Sequence, residues 1–255
     1  MGSAPGLAGS RSQASVQEER SWRAGLPVRL RVRTASRELA STSSVYGANT
    51  QTPFAETDRA DHPLTLYAAT KKAGEEMSHA YSHLWDLPTT VMRFFTVYGP
   101  WGRPDMALFK FVEAIRAGEA IPLFNHGDLE RDFTYVGDLS RAILALMAAP
   151  PRRGEPVGEM DTLSPAAPWR VVNIGRGQPV RLMDFVAAVE AALGVKARLD
   201  MLPMQAGDMA ATFAKGDLLE ALTGYRPDTP LETGVRAFCD WHEAWSAEAE
   251  REVAS

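Results

Sequence analysis

The sequence predicts an α/β fold built on a parallel, doubly wound sheet. Three adjoining segments carry that prediction. LYAATKKAGEEMSHAYSHLW (66–85) sets apolar and small residues at helical spacing, TTVMRFFTVYG (89–99) is rich in β-branched and aromatic residues as strands are, and DMALFKFVEAIRAG (105–118) is helical again. Strands and helices alternating at this length imply a parallel sheet with helices on its faces.

Element by element, residues 1–27 are rich in Gly, Ser, Ala and Arg without a sustained apolar period, and are read as a disordered arm. VRLRVR from Val28 alternates apolar and basic residues as an edge strand does, and ELASTSSVYG reads as a strand end running into a turn. Pro53 and Pro63 mark a loop before the 66–85 helix, which Pro88 stops near residue 87. Gly118 closes the 105–118 helix. Short strands follow at IPLF and DFTY, then a helix over Val136 to Met147 and a Pro/Gly-rich loop from Ala149 to Pro168, a candidate mobile lid. VVNIG, the helix RLMDFVAAVEAAL, the strand ARLDML and helices near Lys215–Leu222 and Leu231–Trp245 are assigned to a smaller lobe. The expected division is thus an arm at 1–27, a sheet domain at 28–150 and, at 151–255, mainly a substrate lobe from which some segments return to the sheet.

Composition narrows the function. With 255 residues, 45% hydrophobic and 23% charged, the chain can bury a sizeable core. A net charge of -5 gives no basic field for nucleic acid or an anionic membrane, so an anionic ligand must be met by a few local arginines. The lone Cys239 excludes an internal disulfide framework and fits a reducing compartment. No stretch has the length of a membrane span or the h-region of a signal peptide, and a cytoplasmic address is expected. The five histidines are scattered; His79 and His83 stand at i and i+4 without a third ligand nearby, and no metal site is expected.

The most informative chemistry lies in Tyr67-Ala-Ala-Thr-Lys71, where i and i+4 share a helix face and set a phenol beside an ammonium. A neighbouring cation favours the phenolate and suits the tyrosine to general-base work. The spacing alone is weak, since roughly one chain in ten of this composition carries such a pair by chance, and on spacing alone an aromatic near a helix start with a solvated lysine is the favoured reading. Upstream, Thr42-Ser43-Ser44-Val45-Tyr46-Gly47 closes a strand with hydroxyls, at the sheet end where α/β proteins place ligands.

In that order and separation, the hydroxyl cluster and Tyr-x-x-x-Lys resemble the extended short-chain dehydrogenase/reductases, the NAD-dependent epimerase/dehydratase family. The likeness runs from about Ala40 to the end through STSSVYG, PLTLYAATKKAGE, RFFTVYGPWGRPDMA, RDFTYVGDL, VNIG, PMQAGD and GYRPDTPLETGVRAFCDW. Within the family it is nearest to the epimerases acting on UDP-glucuronate. The resemblance implies inversion at C4 of a UDP-sugar, UDP-glucuronate to UDP-galacturonate, through a transient 4-keto intermediate with NAD as cofactor. It implies that Tyr67 moves the proton of the sugar 4-hydroxyl, that Thr42 bridges the sugar oxygen and Tyr67 with Ser43 and Ser44 beside it, and that Lys71 holds the nicotinamide ribose. Arg103 would meet the glucuronate carboxylate. Thr96 stands where many relatives carry Asn near the diphosphate or sugar; Arg131 would meet the diphosphate, and Phe124 and Asp208 the base and its ribose. Without the family, those last three read as a solvated arginine, a core phenylalanine and a helix cap.

The same likeness makes the sheet an incomplete Rossmann-like one. Relatives open with a strand, a Gly-x-x-Gly-x-x-Gly turn and a helix that binds pyrophosphate; Gly2, Gly6 and Gly9 do not have that spacing. The expectations are a truncated sheet with an exposed edge, reduced stability and weakened or lost NAD binding. Relatives often dimerise through the Tyr67 helix and the 105–118 helix, so a homodimer using Leu108, Phe111 and Ile115 is a further expectation, although the same three suit an ordinary core. Two other functions stay open: a catalytically silent UDP-sugar-binding or subunit-interaction module, and, ranked lower, a nucleotide-sugar 4,6-dehydratase, whose members place acidic residues where this chain has Ser43 and Ser44.

Overall fold

The computed structural model describes residues 36–205 and 209–253. The 1–27 arm and the VRLRVR strand lie outside the described residues. The main sheet is parallel, in the order β1 (Arg37–Thr42), β2 (Thr89–Phe94), β7 (Trp169–Ile174). Its register aligns Ser41 with Arg93 and Arg93 with Asn173. Helix α1 (Leu66–Trp85) connects β1 to β2, and the Thr65 side chain caps it by accepting from Ala68 N at 3.1 Å, so Tyr67 falls in the first turn. Asp86 in a left-handed conformation ends the helix just before Pro88.

The segment expected as one strand over TTVMRFFTVYG is two. β2 ends at Phe94, and β3 (Thr96–Tyr98) pairs with β6 (Phe133–Tyr135) instead of continuing the main sheet. The exchange takes one residue: Phe95 N donates to Ile174 O on β7 at 3.3 Å, and Thr96 N donates to Asp132 O beside β6 at 3.0 Å. Apolar pattern cannot report such a change of partner. Helix α2 (Ala107–Arg116), closed by Gly118 at φ 70°, leads to β4 (Ala120–Leu123), which pairs with β9 (Arg198–Met201). β5 (Glu130–Arg131), unforeseen in the sequence, joins β8 (Val180–Arg181) and β10 (Ala211–Thr212) in a small mixed sheet.

Helices α3 (Val136–Met147) and α5 (Asp217–Thr223) cover one face of the main sheet, where Leu139, Ala142 and Leu146, with Leu218 and Leu219, bury Met92, Val172 and Ile174. Each of these side chains larger than alanine contributes about 1.5–3 kcal/mol by leaving water. A larger core joins α2, α4 (Leu182–Leu193) and α6 (Leu231–Val253), with Phe133 and Phe185 stacked at 4.0 Å. Leu108, Phe111 and Ile115 lie in that core, the second of the two places expected for them: they turn toward the chain's own α4 and α6 because the helix is apolar on that side. On α1, by contrast, Leu66, Met77, Tyr81 and Leu84 are left on the surface.

The 149–168 loop is fastened, in contrast to a free lid. Asp161 is buried in an ion pair with Arg170 at 3.2 Å, Thr162 Oγ1 accepts from Val171 N at 2.8 Å along the outer edge of β7, and His79 and His83 hold Ser164 Oγ and Ala166 O at 2.8 Å. Satisfying the edge of β7 in this way protects it from further strand pairing.

Candidate active site

The carboxyl ends of β1 and β2 and the loop after β3 converge on a set of clefts. The first is lined by Thr42, Tyr67, Arg103 and Trp101, with Tyr98 and Met106 behind them. A second collects Ser43, Ser44, Thr96 and Arg131. A smaller pocket touches Thr96 on one side and Arg103 and Met106 on the other, so the clefts line up along residues 96–106.

Thr42 closes β1 with its hydroxyl turned into the chain's next bend, where Oγ1 accepts from Ser44 N and donates to Ser44 Oγ, both at 3.2 Å. That bend is tight. Gly47 has φ 52°, and a Cβ there would stand 2.0 Å from His62 O, so only glycine allows the hydroxyl cluster to turn back under the 62–65 segment. Tyr67 is 54% exposed and presents its phenol to the first cleft. Lys71, one turn on, places Nζ 5.9 Å from the Tyr67 ring centroid and donates to Ala40 O at 3.0 Å, so one ammonium serves both the tyrosine and the end of β1.

Arg103 is held by Asp105, through Nε to Oδ1 at 2.9 Å and a second bond from the guanidinium to Oδ2. Asp105 holds the guanidinium's pKa above its usual value, and Arg103 in turn keeps the carboxyl below its own. With both side chains more than half exposed, the pairing is of a kind that water and competing anions readily exchange. Arg131 donates to Glu130 O at 2.9 Å and Ala210 O at 3.3 Å at the mouth of the second cleft. Phe124 does not join these residues; it packs against the core formed by α2 and α4. Asp208 lies outside the described residues. Among the described residues, no three His, Cys, Asp or Glu side chains converge as metal ligands would.

The sequence reading missed the polar layer behind the site. Glu75, about two turns beyond Tyr67 on α1, is fully buried and accepts from Arg93 Nε at 2.9 Å, Arg93 Nη2 at 2.8 Å and Ser41 Oγ at 2.6 Å. Burial works against its ionisation, but the hydrogen bonds and charge of Arg93 outweigh it and hold its pKa below the usual range. Arg93 lies 4.8 Å over the Tyr46 ring, and Tyr46 Oη donates to Asn173 Oδ1 at 2.7 Å. Ser41, Arg93 and Asn173 form one rung across all three strands. A signal was available: an arginine inside the apolar run TTVMRFF needs a buried carboxylate.

The profile of the NAD dependent epimerase/dehydratase family matches residues 31–159. A probable UDP-glucuronate 4-epimerase of Rhizobium meliloti is 59% identical over 208 residues, covering 80% of this chain and 61% of the relative. UDP-glucuronate 4-epimerase 2 of Arabidopsis thaliana is 44% identical over 220 residues, covering 85% of this chain and 50% of the relative. The crystal structure of a Bacillus cereus UDP-glucuronic acid 4-epimerase in complex with UDP-glucuronic acid and NAD superposes with a TM-score of 0.69 at 29% identity, over 82% of this chain and 61% of that one. The chain therefore spans about half to three fifths of the length of these relatives.

Proposed function

The chain belongs to the NAD dependent epimerase/dehydratase family, and from that premise we propose that its site inverts C4 of a UDP-sugar, UDP-glucuronate to UDP-galacturonate. The observation that carries this reading is the meeting of Thr42, Tyr67 and Arg103 in one cleft, a proton-transfer pair beside a cation suited to a carboxylate. In it, Tyr67 takes the proton of the 4-hydroxyl and returns it after the 4-keto sugar has turned. Thr42 holds the sugar oxygen, since its hydroxyl both donates and accepts as the proton moves. Lys71, with Nζ 5.9 Å from the Tyr67 ring centroid, holds the nicotinamide ribose. Ser43, Ser44, Thr96 and Arg131 line the neighbouring cleft and take the rest of the nucleotide sugar, with Arg131 toward the diphosphate. Phe124 and Asp208 remain the proposed contacts to the base and ribose.

The nicotinamide end of a dinucleotide fits the exposed Tyr67 and the half-buried Lys71. The pyrophosphate end has no counterpart among the described residues, where no glycine-rich strand-to-helix turn occurs. When bound, the nicotinamide supplies the hydride acceptor and donor for C4. A second reading is a UDP-sugar-binding module without turnover. The deciding experiment incubates the purified chain with UDP-glucuronate and NAD beside a Tyr67→Phe control. Formation of UDP-galacturonate that the control lacks supports the epimerase; bound UDP-glucuronate without product supports the binding module; a chain that binds no UDP-sugar sinks both.

A further inference from the structure

We infer that Trp101 is the sugar-stacking wall of this cleft, a recognition residue for the hexose ring; the inference rests on the UDP-sugar reading above. Its indole is 81% exposed, the second most exposed large apolar side chain among the described residues, and yet it is not on a featureless surface. It lines the same cleft as Thr42, Tyr67 and Arg103.

The backbone beneath it is held at a cost. Trp101 has φ 63°, a left-handed conformation that disfavours any residue with a Cβ and is usual for glycine. Its neighbours explain why the conformation persists. Gly99 has φ 137°, and a Cβ on it would come within 2.6 Å of Val136 Cγ1; a Cβ on Gly102 would stand 3.0 Å from Gly99 O. The 99–102 bend is thus fixed by close packing on both sides, and the indole is the large group it presents. A solvent-facing position at φ 63° would be filled more stably by glycine or asparagine. Strain retained under an exposed aromatic at a cleft is what a binding residue leaves behind.

Two features give the indole its direction. Its ring centroid lies 5.5 Å from that of Trp241 on α6, which stacks on Trp245 at 5.9 Å, so an aromatic row supports it from behind. Arg103 is two residues along the same bend. A pyranose offers a face of C–H groups, which an indole covers well, and a hexuronate adds a carboxylate at its rim for a guanidinium. Trp101 therefore recognises the ring that glucose and glucuronate share, while Arg103 reads the charge that only the latter carries.

The test measures dissociation constants of the full chain and of its Trp101→Gly and Trp101→Phe variants for UDP, UDP-glucose and UDP-glucuronate by calorimetry, with thermal midpoints alongside. Trp101→Gly is expected to weaken both sugars about ten-fold, as loss of one large apolar contact does, and to leave UDP unchanged. Glycine relieves the strain but gives up the Trp241 contact, so the variant's midpoint should stay within about 2 °C of that of the unchanged chain. Trp101→Phe should keep most of the sugar affinity. An equal loss for UDP, a lowered midpoint with all three ligands weakened, or no change with either sugar overturns the assignment while leaving the UDP-sugar reading in place. If the unchanged chain binds UDP-glucuronate no better than UDP, the assignment and the UDP-sugar reading fail together.

Discussion

Two arginine–carboxylate pairs in this chain have the same chemistry and opposite situations. Arg93–Glu75 is 3% and 0% exposed, lies between α1 and the main sheet, and has Ser41 as a third partner. Arg103–Asp105 is 73% and 60% exposed at the cleft. In the first, removal of either partner strands a charge away from water, so the pair is fixed. In the second, water takes over at little cost, so the arginine is available to a ligand. The difference teaches that location in the fold, and not residue type, decides which charges hold the scaffold and which do chemistry.

The widest expected separation is in stability. Glu75→Ala should lower the unfolding free energy by about 3–5 kcal/mol, because it leaves the Arg93 guanidinium buried without its carboxylate. Denaturant unfolding checks this, and a loss below about 1 kcal/mol would mean that water reaches the rung and that the two pairs are alike.

Glu56 sharpens the contrast from the other side. It is buried, accepts from Asn173 N at 2.9 Å and makes no ion pair among the described residues. Burial pushes its pKa from 4.5 up to about 7, opposed by Asn173 N and the more distant charge of Arg93 and reinforced by Asp217. Because the folded pKa is the higher one, the unfolded chain releases its proton first as pH rises. The group's contribution to stability is complete below about pH 4.5 and declines until about pH 7, a loss of about 3 kcal/mol. Glu56→Gln should flatten the stability profile between those values. A variant with the same slope as the unchanged chain would place the titration elsewhere.

At the cleft the effects are smaller and concern ligands. Arg103→Ala should reduce the preference for UDP-glucuronate over UDP-glucose about ten-fold, with the UDP-glucose affinity unaltered. Asp105→Ala should move the thermal midpoint by no more than about 1 °C and raise UDP-glucuronate affinity about two-fold, since the carboxylate that competes for Arg103 is gone. Equal losses for both sugars in the first variant would assign Arg103 a role in building the cleft in place of reading charge.

Much of the fold was legible in local pattern. The helix carrying Tyr67 and Lys71 is bounded by Thr65 and Asp86 within a residue or two of its expected ends, and Val136–Met147 is helical as expected. The hydroxyls of Thr42, Ser43 and Ser44 stood out because residue types at a strand end are local information. The division of TTVMRFFTVYG was not legible, because Phe94 and Thr96 both suit a strand and what separates them is their pairing partners, Ile174 and Phe133, which lie far along the chain. Leu108, Phe111 and Ile115 were readable as an apolar stripe but not as to what would cover it.

By itself, then, the sequence determined the helical and strand periods, the Tyr–Lys pair on one helix face, the hydroxyl turn and the family. These depend on contacts no more than a few residues apart, or on residues kept in order along the chain. Tertiary structure alone decided that Ser41, Arg93 and Asn173 form one rung closed by Glu75, that Arg103 spends its charge on Asp105 at the surface, and that a strained Trp101 faces the cleft. The physical reason is that burial and strain belong to the packed whole: a guanidinium costs little in water and several kcal/mol out of it, and only the path of the chain settles which applies.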